Sequence, residues 1–253
     1  MTYRDATALV TGASTALGLE FCGQLAVRCK RVIAVTSNTS ELAGRVAELS
    51  GASEIYPLSA DLATVVGLTR VTEAIRQKGP VEVLVNHALC AASGEFSRAQ
   101  IGGQLALTRL HVEAPLSLCR AVIPYMRESG RGAIINISDV GGFVPQSGSA
   151  VTGAAGAFLN GFSLALHEEL SGSGIRVQSL CLGTVDTAHG TSAPGAQTNR
   201  EQPPESGGLS PADAVRTSLE ALHTDRILVI PDRAHRRIAR DGVERLRQAL
   251  QED

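Results

Sequence analysis

The 253-residue chain is short of several things, and each shortage removes a class of function. Lysine occurs only at Lys30 and Lys78; the other basic side chains are arginine, with a few histidines. Charges of both signs are intermixed and the formal net charge is -2. No basic face is therefore available for nucleic acid or an anionic membrane surface. No apolar run reaches membrane-spanning length, and the start, Met1-Thr2-Tyr3-Arg4-Asp5, lacks the apolar core of a secretory signal. The five cysteines, Cys22, Cys29, Cys90, Cys119 and Cys181, are odd in number and include no CxxC pair. They lack zinc-ligand spacing and read as thiols of a reducing compartment. The expectation is a cytoplasmic protein with no metal, no nucleic acid and no membrane among its partners.

What is present is core-forming material. Apolar residues make up 43% of the chain and charged residues 19%, which suits a large packed interior. Short runs rich in Val, Ile and Leu fall at Thr7–Thr11, Arg31–Thr36, Glu54–Leu58, Val81–Asn86, Ala133–Ser138, Ile175–Leu180 and Arg226–Ile230. Most lack polar alternation, as strands buried on both faces do. Helix-length segments separate them. The pattern predicts one α/β domain over residues 1–253: a doubly wound parallel sheet with helices on both faces, a Rossmann fold. Residues 188–208 are rich in Gly, Pro, Ser and Thr and predict a lid-like loop. Ser210 followed by Pro211 marks the next helix start, and the arginine-rich tail after Pro231 predicts a solvated helix.

The first strand runs into Thr11-Gly12-Ala13-Ser14-Thr15-Ala16-Leu17-Gly18. In a doubly wound sheet this first βα turn is where a dinucleotide pyrophosphate sits, because glycines admit the phosphates and the helix N-terminus offers amides. The segment resembles the TGxxxGxG loop of short-chain dehydrogenases/reductases. Thr11, Gly12 and Gly18 match, and Ala16 replaces the middle glycine. Further segments carry the resemblance along nearly the whole chain, from Thr7 to about Pro231. Asp61-Leu62 is similar to the family's adenine-contacting pair. Leu84-Val85-Asn86-His87-Ala88-Leu89 resembles LVNNAG, with Asn86 and Ala88 matching and His87 and Leu89 departing. Cys181–Thr187 resembles PGxVxT, with Gly183 and Thr187 matching. The resemblance assigns Gly12, Gly18, Asp61, Leu62, Asn86, Ala88 and Thr187 to a cofactor groove. At the end of the second strand Thr36 and Ser37 stand where a carboxylate would hold the ribose of NAD or an arginine the 2′-phosphate of NADP.

The resemblance also fixes where the family's proton machinery belongs. Gly132–Gly142 resembles GxIINISSxxG, which puts Asp139 at the serine position. Thirteen residues later, Ala150–Ala157 resembles AxYxASKxA, which puts Thr152 at the tyrosine position and Gly156 at the lysine position. Leu110–Pro115 puts His111 at the asparagine position. The family uses these four groups for general acid–base catalysis beside a nicotinamide. None is retained here, and the tyrosines, Tyr3, Tyr56 and Tyr125, lie far from the segment in sequence.

Three readings follow. In the first, the chain is a pseudoenzyme: a structural or regulatory subunit paired with an active short-chain dehydrogenase, or with itself, through the helices near 100–128 and 149–170. The small residues Gly153, Ala154, Ala155, Gly156 and Ala157 would permit close packing there, between subunits or within the domain. In the second, the pocket is repurposed for non-redox acid–base chemistry by His111 and Asp139, with His87 nearby. In the third, the chain remains an NAD(P)-dependent alcohol/carbonyl oxidoreductase with unusual residues. The first two expect no cofactor or weak NAD(P) binding.

Overall fold

A computed structural model describes residues 3–48, 54–87, 94–183 and 209–251. The β-rich runs form β1 (Tyr3–Thr11), β2 (Cys29–Thr36), β3 (Glu54–Ser59), β4 (Val81–Asn86), β5 (Gly132–Asp139), β6 (Ile175–Leu182) and β7 (Leu228–Val229). Between them lie α1 (Ala16–Ala26), α2 (Thr39–Glu48), α3 (Val65–Lys78), α4 (Ile101–Thr108), α5 (Ala114–Ser129), α6 (Ala150–Glu169), α7 (Pro211–Ala221) and α8 (Arg233–Ala249).

The strands make one sheet in the order β3-β2-β1-β4-β5-β6-β7 among the described residues, and each described pairing is parallel. Parallel neighbours need crossovers, and the crossovers cover both faces. Side chains alternate across the sheet accordingly. Val32, Val83, Val85, Ile135 and Ile137 pack on one face with Phe21 and Leu25 of α1, Leu42 of α2 and Val215 of α7. Leu9, Ile33, Leu84, Ile134 and Val177 pack on the other with Ile75 of α3, Leu118, Val122 and Met126 of α5 and Leu166 of α6.

The long helix expected near 100–128 is interrupted. Arg109–Glu113 forms a π-helical turn between α4 and α5, closed by the Ala114 amide on the Arg109 carbonyl. Pro115 supplies the cause: it has no N–H to offer the carbonyl four residues earlier, at His111, so the i→i−4 ladder breaks there. The second helix runs as Ala150–Glu169, close to the expected 149–170. The segment 188–208, read as a lid, lies outside the described residues.

Candidate functional site

The chain order reverses between β1 and β4, and their C-terminal ends open the crevice where doubly wound sheets bind ligands. Gly12 turns the chain out of β1 at φ 62°, and a Cβ there would stand 2.3 Å from the His87 carbonyl oxygen. Glycine is therefore required for both the left-handed conformation and the close approach to the end of β4. Gly18 is as tightly held: a Cβ would lie 2.2 Å from the Gly12 carbonyl oxygen, so α1 packs directly onto the loop. Thr15 caps α1, its Oγ1 accepting from the Gly18 amide at 3.0 Å.

His87 reaches into this turn. Its Nε2 lies 2.8 Å from Thr15 Oγ1, and its amide donates to Thr11 Oγ1 at 2.8 Å. The side chain is buried, and among the described residues Nδ1 has no hydrogen-bond partner. Burial, with a smaller contribution from the nearby His111, pushes its pKa down to about 4, so the ring is neutral at pH 7.

The other residues assigned to the groove divide. Asn86 turns into the interior, where its Nδ2 donates to Asn136 Oδ1 at 2.8 Å, and Asn136 Nδ2 donates to Ser163 Oγ at 2.9 Å. This amide chain ties β4 to β5 and α6. Asp61 is exposed and starts the turn into α3: its Oδ1 accepts from the Ala63 amide and its carbonyl from Thr64. Leu62 is buried and, with Thr11, Asn86, His111, Ile137 and Leu159, lines a cavity of about 10 Å³, room for about one water. Ala88 and Thr187 lie outside the described residues.

The four relay positions come from three elements. His111 is buried in the π-helical turn. Asp139 ends β5, and its Oδ1 accepts from the Gly141 amide at 2.5 Å. Thr152 lies in the first turn of α6 and Gly156 one turn on. Gly156 packs on the end of β5: an added Cβ would meet the Asp139 carbonyl oxygen at 3.3 Å, and the Gly156 carbonyl accepts from Ser138 Oγ at 3.1 Å. Burial raises the Asp139 pKa, against smaller lowering contributions from the Gly141 amide and from His235. The lysines are remote, Lys30 near the start of β2 and Lys78 at the end of α3, where its Nζ lies 4.2 Å above the Tyr56 ring.

His235 is not among the residues that the family resemblance assigns to the site. It sits in the first turn of α8, beyond β7, yet a Cβ on Gly183 would stand 2.1 Å from its Nε2. Gly183 follows Leu182, whose Cα pairs with that of Asp139 across β5 and β6. The imidazole thus stands at the same strand ends as Asp139. Its Nδ1 lies 3.6 Å from Asp232 Oδ1, the carboxylate that caps α8. The sequence signal was the Asp232-x-x-His235 spacing, which puts both groups on one helical turn; it does not show that α8 packs on the turn that follows β5.

With this geometry in place, comparison with known proteins decides the lineage. Residues 6–197 match the family model for short chain dehydrogenase. The chain belongs to the short-chain dehydrogenase family. Among similar members, a protein described as a probable NADP-dependent dehydrogenase from Haemophilus influenzae is 33% identical over 192 residues, covering 72% of this chain and 73% of that one. An acetoacetyl-CoA reductase from Allochromatium vinosum is 32% identical over 186 residues, covering 72% and 75%. The solved structure of a short-chain dehydrogenase from Sphingobium yanoikuyae in complex with NADPH superposes with a TM-score of 0.83 at 30% identity, covering 98% of this chain and 95% of that one.

Tested against the nicotinamide dinucleotide of short-chain dehydrogenases, the site fits in part: Arg45 Nη1 donates to the Ser14 carbonyl at 3.1 Å beside the ribose end, and the nicotinamide end lacks its cation. The Gly12–Gly18 turn and the start of α1 suit a pyrophosphate. At the ribose end, Thr36 Oγ1 is engaged with Ser14 Oγ at 3.1 Å and the Asn38 carbonyl at 3.3 Å, and no carboxylate ends β2. At the nicotinamide end, Gly156 offers no cation.

Proposed function

We propose that this short-chain dehydrogenase does not transfer hydride by the tyrosine–lysine route and serves as the non-redox subunit of an active relative. The observation that carries this is the set His111, Asp139, Thr152 and Gly156 at the four relay positions. A carbonyl becoming an alkoxide needs a proton donor and a nearby positive charge. Threonine is too weak an acid to stand in for a phenol, and glycine supplies no ammonium. The reductase and dehydrogenase activities named for the relatives are, for this chain, ancestry, and it binds NAD(P) weakly or not at all.

A face for the subunit contact is available. Ala154, Ala157, Gly161 and Leu164 lie exposed on one side of α6, and Ile101, Leu105 and Leu116 are exposed on α4 and α5. Ala155 and Gly156 are buried instead, so two of the five residues of the small-residue run pack within the domain. The test is purification of a tagged copy from its own cells. An intact short-chain dehydrogenase with tyrosine and lysine in place should accompany it in stoichiometric amount. A self-contained homodimer that turns over an alcohol–ketone pair would overturn the proposal.

A second reading, compatible with the subunit role, is that the old pocket now does acid–base chemistry without redox. The partly buried Asp139, whose carboxyl is held toward its neutral form, favours it.

A further inference from the structure

We propose that a cavity at the N-terminal edge of the sheet binds a small amphiphilic carboxylate, a single negative charge on an apolar body. The cavity has a volume of about 270 Å³ and lies between the start of β1, the end of α1 and the end of α7. The length of β1 separates it from the Gly12 turn by roughly 25 Å of extended chain. The inference is therefore independent of the use made of the groove described above.

The walls follow from the alternation of the sheet. Val83 of β4 faces the side of α1 and α7, in the same packed cluster as Tyr3, Leu25, Leu219 and Leu222. These five side chains are buried and line the cavity. The rim differs: Arg4, Val27, Arg28 and His223 are exposed. An apolar recess with a few convergent polar groups is the anatomy of a small-molecule site, and this volume limits the occupant to less than a drug-sized ligand.

The lining sets the sign of the ligand. Of the nine residues that line the cavity among those described, three are basic and none is acidic. Glu82 is the neighbour of Val83 on β4, but its Oε2 is neutralised by Arg131 Nε at 2.7 Å. Arg28 Nη1 donates to the Gln24 carbonyl at 2.5 Å, which holds the guanidinium at the end of α1 and leaves it further N–H donors. α1 and α7 end at the cavity, capped by Val27 and Leu222, and the carbonyl ends of helices carry partial negative charge. That field weighs against a doubly charged phosphate and for a monoanion. Arg28 and His223 offset these helix ends. Arg4 stands on a strand, has no helix end to offset, and makes no ion pair among the described residues. It is the group that a carboxylate would engage, with Arg28 as the second donor. The neighbouring groove along α1 and α7, about 780 Å³, shares Val27 and Arg28 but adds Glu20 and Glu220, so its lining selects no one sign of charge.

The test is calorimetric titration of the full-length chain with octanoate, octan-1-ol and acetate, with methyl NMR to locate the binding. Octanoate should bind one to one and about tenfold more tightly than octan-1-ol, which lacks the charge. Acetate lacks the apolar body and should give no measurable heat. Arg4→Gln and Arg28→Gln should each weaken octanoate about five- to tenfold and leave octan-1-ol unchanged. Both arginines are exposed, so unchanged thermal midpoints should accompany these variants. Octanoate should shift the methyl signals of Leu25, Val83, Leu219 and Leu222 and spare those of Leu17 and Leu62 at the far end of the sheet. Equal affinity for octanoate and octan-1-ol, octanoate binding that survives both substitutions, shifts centred on Leu17 and Leu62, or no saturable binding at millimolar octanoate each overturns the assignment. Hydride turnover by the chain would sink the proposed function and leave this result standing.

Discussion

His87 shows what a single substitution costs at a buried turn. The ring is enclosed and neutral, with a pKa lowered from 6.5 to about 4. In the unfolded chain it binds a proton below about 6.5, so the unfolded state takes up more protons in this window and stability falls as pH falls from 6.5 toward 4. At about 1.4 kcal/mol per pKa unit the loss attributable to His87 is about 3 kcal/mol. Urea unfolding of the wild type and of His87→Asn at both ends of the window checks this. The variant should lose about 3 kcal/mol less on acidification; equal losses would show that the ring is hydrated in the folded protein. The substitution itself was visible in the sequence, but its partners Thr15 and Thr11 come from a turn more than 70 residues away and became evident only in the fold.

At the scale of elements, two helical glycines make opposite predictions. Gly18 is pressed against the loop backbone, so Gly18→Ala should cost about 1–3 kcal/mol by overpacking. Gly161 has nothing within 4 Å of an added Cβ, so Gly161→Ala should stabilise the isolated chain by about 0.5–1 kcal/mol through helix propensity. Denaturant midpoints of the two variants should move in opposite directions; movement in one direction would contradict the packing described. The strands were legible because buried parallel strands are continuous Val, Ile and Leu runs: β4 matches its expected bounds, and β1, β2, β5 and β6 extend theirs by a few residues. Only Leu228–Val229 pairs as β7, shorter than the Arg226–Ile230 run. The π-helical turn was not read, although Pro115 was its signal, because apolar periodicity cannot tell α from π over one turn.

At the scale of the whole molecule, the residues that make the fold and those that make the chemistry part company. Gly12, Gly18 and Asn86 have demonstrable packing work in the turn and the sheet, independent of any ligand. Such positions persist when a pocket changes its use, which is why the family could be read from the sequence and the activity could not. His235 was missed for a related reason: helix spacing pairs it with Asp232, but only the sheet order brings α8 beside β5 and β6. Hydride transfer by the chain can be measured directly. The chain, purified alone, is mixed with NADPH or NADH and a panel of ketones and β-keto thioesters, and nicotinamide absorbance is followed. The account predicts no consumption above the protein-free rate. Robust oxidation of the nicotinamide by the chain alone would contradict it.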